Sequence, residues 1–288
     1  MPETVPARVT HRELKIVIHE SFPAAMRPRL GALARDVLRV TVRRFGGAPP
    51  PGDRTIYVYR GSGYKTAQEP PFIETVPDGT GGESVARAGP EEERYEVALK
   101  LEDLSHNSYF FEQSVYQLGH ELGHLLLEPR RSNAVLEILA VASSLEALTE
   151  MAQLWIANRA TEWRRDVDAV KLRAYRQLMI REQLEKLPPA VKAAAAGRDW
   201  TRVADHLRST RAEHDREPCN WALCHLGAML FLAEKPEWAA LRGVGAMTHP
   251  PVEDIPRLQS NAPFDYARLP EAVIAVLRRL GRDSAEAS

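Results

Sequence analysis

The residues of this chain best placed to do chemistry are two histidines four positions apart, with a glutamate directly after the first. They lie in the segment QSVYQLGHELGHLLLE, residues 113–128, as His120, Glu121 and His124. Residues i and i+4 of a helix share a face, so both imidazoles can point at one metal ion. Glu121 leaves the edge of that face, where it can reach a water on the ion. The motif predicts one Zn²⁺ per chain, with Glu121 as the base that activates its water.

The same five residues could also belong to an ordinary metal-free helix, because so short a motif arises by chance. Its surroundings favour a metal site: the segment is long, apolar and preceded by a β-rich stretch. Gly119 and Gly123 lie beside the histidines. Since a glycine costs about 1 kcal/mol in a helix interior, the pair predicts that backbone or substrate approaches closely here.

A catalytic zinc ion needs a third protein ligand and one open position. The longer motif HExxHxxGxxH is excluded, because Leu127 and Arg130 occupy the places of its glycine and third histidine. Glu137 follows His124 closely, which leaves little chain for a reversal of direction. The downstream carboxylates that could complete the site are Glu137, Glu146 and Glu150.

The segments HELGH and LEALTE together resemble the gluzincin metallopeptidases, which include thermolysin-like and aminopeptidase-like enzymes. By that resemblance Glu146 is the third zinc ligand, and Glu150, one turn later, holds a ligand histidine in the correct tautomer. A metal-bound imidazole usually donates its other N–H to such a carboxylate. Two alternatives stay open: Ser143-x-x-Glu146 also fits a capping box, and Glu137 or Glu150 could replace Glu146 as the ligand.

The resemblance implies hydrolysis of peptide bonds by a regulatory or processing protease that acts on a peptide or protein substrate. It also implies a sheet whose edge strand lies along the active-site helix and binds an extended peptide by strand addition. The segment RYEVALKL, residues 94–101, is the candidate for that strand. The alternative function is a catalytically inactive or structural zinc-binding module.

Family enzymes stabilise the oxyanion with a tyrosine or histidine from their helical part. The candidates here are Tyr175, His206, His214 and His225. Two features depart from the family pattern. No glycine-rich exopeptidase signature precedes HELGH, and Leu145 stands where thermolysin-like enzymes commonly have asparagine.

The composition is typical of a globular protein: 288 residues, 44% hydrophobic, 27% charged, with a net charge of −1. That balance predicts no general attraction to nucleic acid. No segment has the apolar length of a membrane span, and the N-terminus lacks the pattern of a signal peptide. We therefore expect a cytoplasmic protein, or one exported without a cleavable signal. Cys219 and Cys224 fit reduced, buried thiols.

The elements that must position the motif predict an α+β fold. A small mixed sheet with one long helix packed on it precedes a mainly helical lobe, and the active-site helix lies at their seam. Ser21 is a possible cap of the first helix and Gly46 its end. The expected sub-domains are residues 1–130, ending in the HELGH helix, and residues 131–288, which supply the third ligand within one catalytic unit. The expected strands are residues 13–20, 54–61 and 94–102. The expected helices are 23–46, 106–128, 132–163 (one helix or two), 165–187, 199–214, 218–234 and 270–280, with a loop at 77–93.

Overall fold

The computed structural model combines a β-sheet with a larger set of helices, so the broad α+β prediction is confirmed. It describes residues 3–9, 12–48, 55–60, 72–75, 95–99, 110–127, 134–157, 166–197, 199, 202, 218–233, 235–242, 248–249 and 257–258. The strands are β1 (Glu3–Val9), β2 (Arg12–Ile18), β3 (Ile56–Arg60), β4 (Phe72–Thr75), β5 (Tyr95–Leu99), β6 (Thr248–His249) and β7 (Arg257–Leu258). The α-helices are α1 (Arg27–Arg44), α2 (Phe110–Leu127), α3 (Ala134–Ala157), α4 (Asp166–Glu185), α5 (Pro189–Ala196) and α6 (Pro218–Ala233), with a short 3₁₀ helix at Trp238–Leu241.

The main sheet is mixed and has the strand order β1-β2-β3-β5-β4. The three central strands run parallel, whereas β1 and β4 pair antiparallel at the two edges. Alternate side chains of the central strands enter the core on one face, as the period of a strand requires. These are Ile16, Ile18, Ile56, Val58, Val97 and Leu99.

The strand β5 is not the edge strand that the family resemblance implied. It lies between β3 and β4, and β4 pairs with it in the register Phe72 to Ala98. The short segment FIET was not predicted as a strand. In the part of the sheet that the structure describes, the edge nearest α2 is therefore β4.

The first helix begins later than its sequence pattern indicated. Met26 precedes it without a side-chain cap, and a proline lies in its first turn, where the missing N–H removes no helical hydrogen bond. Ser21 does not cap this helix, because its Oγ accepts a hydrogen bond from the backbone N–H of Arg60 at 2.9 Å. Gly46 and Gly47 then adopt φ values of +90° and +80°, so the predicted stop at Gly46 is confirmed.

The HELGH helix, α2, is buried along nearly its whole length and contacts α1, α3 and β5. The next helix, α3, is continuous from Ala134 to Ala157, which decides between the one-helix and two-helix alternatives. Ser143 lies in its interior and does not form a capping box with Glu146. Its Oγ instead donates a hydrogen bond to the carbonyl oxygen of Gly119 in α2, at 2.8 Å.

Small residues let α2 and α3 approach closely, as the two glycines predicted. A Cβ added at Gly119 would lie 2.7 Å from the Cβ of Ala147 and 3.1 Å from the Cα of Ser144. A Cβ at Gly123 would lie 3.0 Å from the Cβ of Ser143. The close neighbours are thus the Cβ and backbone atoms of small residues in α3, and this contact fixes the alignment of the two helices.

We expect Gly119→Ala to destabilise the protein, because the methyl group must push α2 away from α3. Overpacking lowers the free energy of unfolding by about 1–3 kcal/mol, whereas the better helix propensity of alanine raises it by only about 1 kcal/mol. Urea unfolding should show a lower midpoint with an unchanged slope. The control is Gly197→Ala after α5, where the nearest atom to a new Cβ is 3.4 Å away. A wild-type midpoint for Gly119→Ala would contradict the close packing.

Several predicted elements of the helical half are confirmed. The predicted helices at 165–187 and 218–234 correspond to α4 and α6, while α5 was not predicted. The predicted helices at 199–214 and 270–280 and the loop at 77–93 lie largely or wholly outside the described residues. Cys224 is a buried free thiol. None of the described helices is long and apolar enough to cross a membrane. The division into sub-domains stays a prediction.

Candidate metal centre

Three ligand-type side chains converge where α2 ends and α3 begins. The two imidazoles present Nε2 to each other, and the Nε2 atoms of His120 and His124 are 3.1 Å apart. The carboxylate of Glu137 lies against both: Oε2 is 3.2 Å from Nε2 of His120, and Oε1 is 3.4 Å from Nε2 of His124. Among the described residues, this is the group of histidine, cysteine and acidic side chains that could hold a metal ion.

The separations fit the ligand set of a metal ion. Tetrahedral zinc with bonds of roughly 2.0–2.1 Å requires ligand atoms about 3.3–3.4 Å apart. The two Nε2 atoms are 3.1 Å apart, and each lies near that distance from a different oxygen of Glu137, 3.2 Å for His120 and 3.4 Å for His124. The histidine side chains are almost buried, at 2% and 10% exposure, whereas Glu137 keeps 30% of its side chain exposed. The group therefore reaches solvent on the Glu137 side.

The two histidines differ in their affinity for a proton. Burial lowers the pKa of His120, and its hydrogen bond to Glu137 offsets this only in part. Burial also acts to lower the pKa of His124, but the charge and hydrogen bond of Glu137, together with the charge of Glu121, outweigh burial, and that pKa is raised. Burial acts to raise the pKa of Glu137, yet the histidines hold it well below its usual value. Because only neutral imidazole binds a metal, protonation competes with metal binding more strongly at His124 than at His120.

The acid beside the histidines is Glu137, and not the predicted Glu146. Glu137 lies in the first turn of α3, where the helix dipole stabilises a negative charge. Glu146 follows it by nine residues, which is about two and a half turns of a helix, so the two side chains leave opposite sides of α3. The expectation that Glu137 had too little chain to return was wrong, because α3 already begins at Ala134.

The predicted outer carboxylate, Glu150, lies against an arginine rather than a ligand histidine. Its Oε2 is 3.5 Å from Nε of Arg44, whose side chain is only 3% exposed. Burial lowers the pKa of Arg44, while the charges of Glu150 and Glu146 oppose that effect. Arg44 also donates a hydrogen bond to the carbonyl oxygen of Ser143 at 2.9 Å. Both predicted acids, Glu146 and Glu150, thus interact electrostatically with Arg44 of α1 instead of with the histidines.

Glu121 occupies the position of the proposed base. It follows His120 directly on α2 and is 1% exposed. Its negative charge also acts to raise the pKa of His124. The role of Glu121 as the base stays a prediction.

The candidates for oxyanion stabilisation have different surroundings. Tyr175 is buried with its ring edge-on to Tyr116, at 6.3 Å between centroids. His225 accepts a hydrogen bond from the hydroxyl of Tyr116 at 2.7 Å, so that nitrogen is already occupied. His206 and His214 lie outside the described residues.

An aromatic cluster beside the histidines was not predicted. The ring of Trp221 lies 5.3 Å from that of His120 and 5.2 Å from that of His225. One signal was available: Tyr116 precedes His120 by four residues and therefore lies on the same face of α2. The contribution of α6 could not be found, because it depends on tertiary packing.

Comparisons with protein-family models, with curated proteins and with solved structures found no match for this chain.

Proposed function

We propose that this protein is a zinc-dependent metallopeptidase whose metal ion is held by His120, His124 and Glu137. The observation that carries the proposal is the convergence of two imidazoles and one carboxylate, with ligand atoms within 4.8 Å of one another. Both histidines lie on α2, the helix that also carries Glu121. Glu137 replaces Glu146 in the ligand set. The gluzincin resemblance then holds for HELGH but not for the spacing of the third ligand.

Each side chain has one task in this proposal. Zinc, when bound, lowers the pKa of a water ligand to about 7 and polarises the substrate carbonyl. Glu121 takes the proton of the attacking water and passes it to the leaving amine, which departs as a neutral product. The buried position of Glu121, 1% exposed, keeps its proton from exchanging freely with bulk solvent.

An extended peptide is the substrate that the sheet suits best. The outer edge of β4 is the described sheet edge nearest α2, and α2 contacts both β4 and β5. A peptide added to β4 would make main-chain hydrogen bonds and run beside the HELGH helix. This modifies the expectation that β5 would receive the peptide.

The alternative is a zinc-binding module without catalysis, in which the metal ion ties α2 to α3. The burial of both histidines is compatible with such a role. The exposed fraction of Glu137 favours a site that substrate can reach.

The test is the metal content of the purified full-length protein together with a proteolysis assay on unfolded casein. We expect about one zinc ion per chain, loss of cleavage after removal of the metal with a chelator, and recovery on addition of zinc alone. The control is the same chelation followed by magnesium. Two histidines and one carboxylate also suit non-haem iron. Stoichiometric iron without cleavage, or zinc without cleavage, would contradict the peptidase proposal.

A further inference from the structure

Within the described part of the chain, the ring of His120 does not have the hydrogen bond that usually supports a metal-bound imidazole. When Nε2 binds the metal, Nδ1 carries a proton, and that N–H is normally donated to a carboxylate or carbonyl oxygen. The Nδ1 atom of His120 is buried, and no described residue provides a hydrogen-bond partner for it. Among the described residues, the contacts on the ring face are therefore the ones that can orient this side of the imidazole.

The ring that lies against His120 is the indole of Trp221 from α6. Their centroids are 5.3 Å apart and their planes are inclined by 56°. Trp221 also contacts the ring of His225 edge-on, at 5.2 Å and 70°. The indole thus contacts two imidazoles, one of which belongs to the proposed metal site.

Hydrogen bonds fix His225 in one tautomer. Its Nδ1 is 2.8 Å from the carbonyl oxygen of Trp221, which can only accept, so Nδ1 carries the proton. Its Nε2 then accepts a hydrogen bond from the hydroxyl group of Tyr116, and the oxygen and nitrogen atoms are 2.7 Å apart. Burial lowers the pKa of His225 to about 4, so it is neutral near pH 7 and adds no positive charge beside a cation site.

These contacts form a closed loop between two helices. Tyr116 and His120 are one turn apart on α2, and Trp221 and His225 are one turn apart on α6. Tyr116 is joined to His225 by a hydrogen bond. His225 is joined to Trp221 by a ring contact and a hydrogen bond. Trp221 is joined to His120 by a second ring contact. A displacement of α6 would move the indole and release the His120 ring.

We propose that Trp221 and His225, locked by Tyr116, are positioning residues that hold the His120 ring in the orientation required for metal binding. This inference rests on the metal site of the proposed function, but not on peptidase activity. It gives α6 a role that the sequence motif does not contain.

The test measures metal binding to the full-length protein. We expect Trp221→Leu to weaken zinc binding by about 10–100-fold, the usual effect of losing an outer partner of a metal ligand. Tyr116→Phe keeps the ring but removes the hydrogen bond to His225, and should weaken binding about tenfold. The visible spectrum of the cobalt(II)-loaded variants should change, because the ligand geometry around the ion is altered.

The matched control is Trp238→Leu. Trp238 is also a half-buried tryptophan, but it contacts Phe45, Phe231 and Arg44 instead of His120. We expect this variant to lose stability while its zinc affinity and cobalt spectrum stay those of the wild type. That contrast separates a positioning role from a merely structural one.

A double-mutant cycle tests the loop itself. Because both arms act on one ring, Tyr116→Phe combined with Trp221→Leu should weaken zinc binding by less than the product of the two single effects. Wild-type affinity and spectrum in folded Trp221→Leu, or fully multiplicative effects, would overturn the inference. Neither outcome depends on cleavage, so the peptidase proposal would fail separately, through the casein assay.

Discussion

Glu121→Gln is expected to abolish casein cleavage while leaving the zinc content of the protein unchanged. Glutamine has nearly the shape of glutamate but cannot accept the proton of the attacking water. General-base catalysis contributes about 10²–10⁴-fold to a rate, so residual cleavage should fall by at least that factor. The measurements are the initial rate of cleavage and the zinc bound per chain, both on the purified full-length variant.

The control is Glu146→Gln, which removes a carboxylate from the neighbouring helix on the side away from the histidines. Its cleavage rate should stay near that of the wild type. If Glu121→Gln cleaves as fast as the parent, the assigned base is wrong. If it loses zinc as well, Glu121 contributes to binding the metal rather than to moving a proton.

Glu137→Ala should remove a direct metal ligand, so its effect should exceed the 10–100-fold typical of outer partners. Two histidines alone would hold zinc weakly. Without Glu137 the pKa of His124 would fall, which eases metal binding by neutral imidazole but does not replace the lost ligand. We expect little zinc to survive purification of this variant. Zinc titration of the metal-free protein, monitored by calorimetry, gives the change in affinity directly.

Glu146→Ala is the decisive comparison, since the family pattern assigned the ligand role to that residue. We expect it to bind zinc with wild-type affinity. Glu150→Ala is a poorer control, because it leaves the buried charge of Arg44 without its carboxylate at 3.5 Å. If Glu146→Ala loses zinc while Glu137→Ala retains it, the third metal ligand is Glu146, as the sequence predicted.

The fold was predictable where apolar periodicity is strong. The central strands β2, β3 and β5 and the helices α1, α2 and α3 follow their sequence patterns. The edge strands were not found: Pro6 interrupts β1, and the apolar positions of β4 are Phe72 and Ile73 alone. Such strands form because a neighbouring strand offers hydrogen-bonding groups. Their own sequences therefore do not predict them.

The candidate site was predictable to the extent that it is local. The spacing of His120 and His124 on one helix determines that their rings can meet, and the structure brings them together. The third acid depends on the alignment of α2 with α3, which is fixed by close packing at Gly119 and Gly123. Gly123 lies within HELGH and Gly119 directly precedes it, but the sequence does not indicate which residues of α3 face them. The contacts of Trp221 and His225 were harder to predict, because α6 is separated from α3 in the sequence by α4 and α5.

The proposed ligands all lie in one helical hairpin, between His120 and Glu137, and this has a consequence for the order of assembly. Contacts that are near in sequence form with little loss of chain entropy. A nascent chain that has just emerged past α3 would already contain every proposed ligand, long before α6 is synthesised. We expect the early chain to bind the metal ion weakly and to reach full affinity only when the last helices dock. Full metal affinity would then indicate that folding is complete.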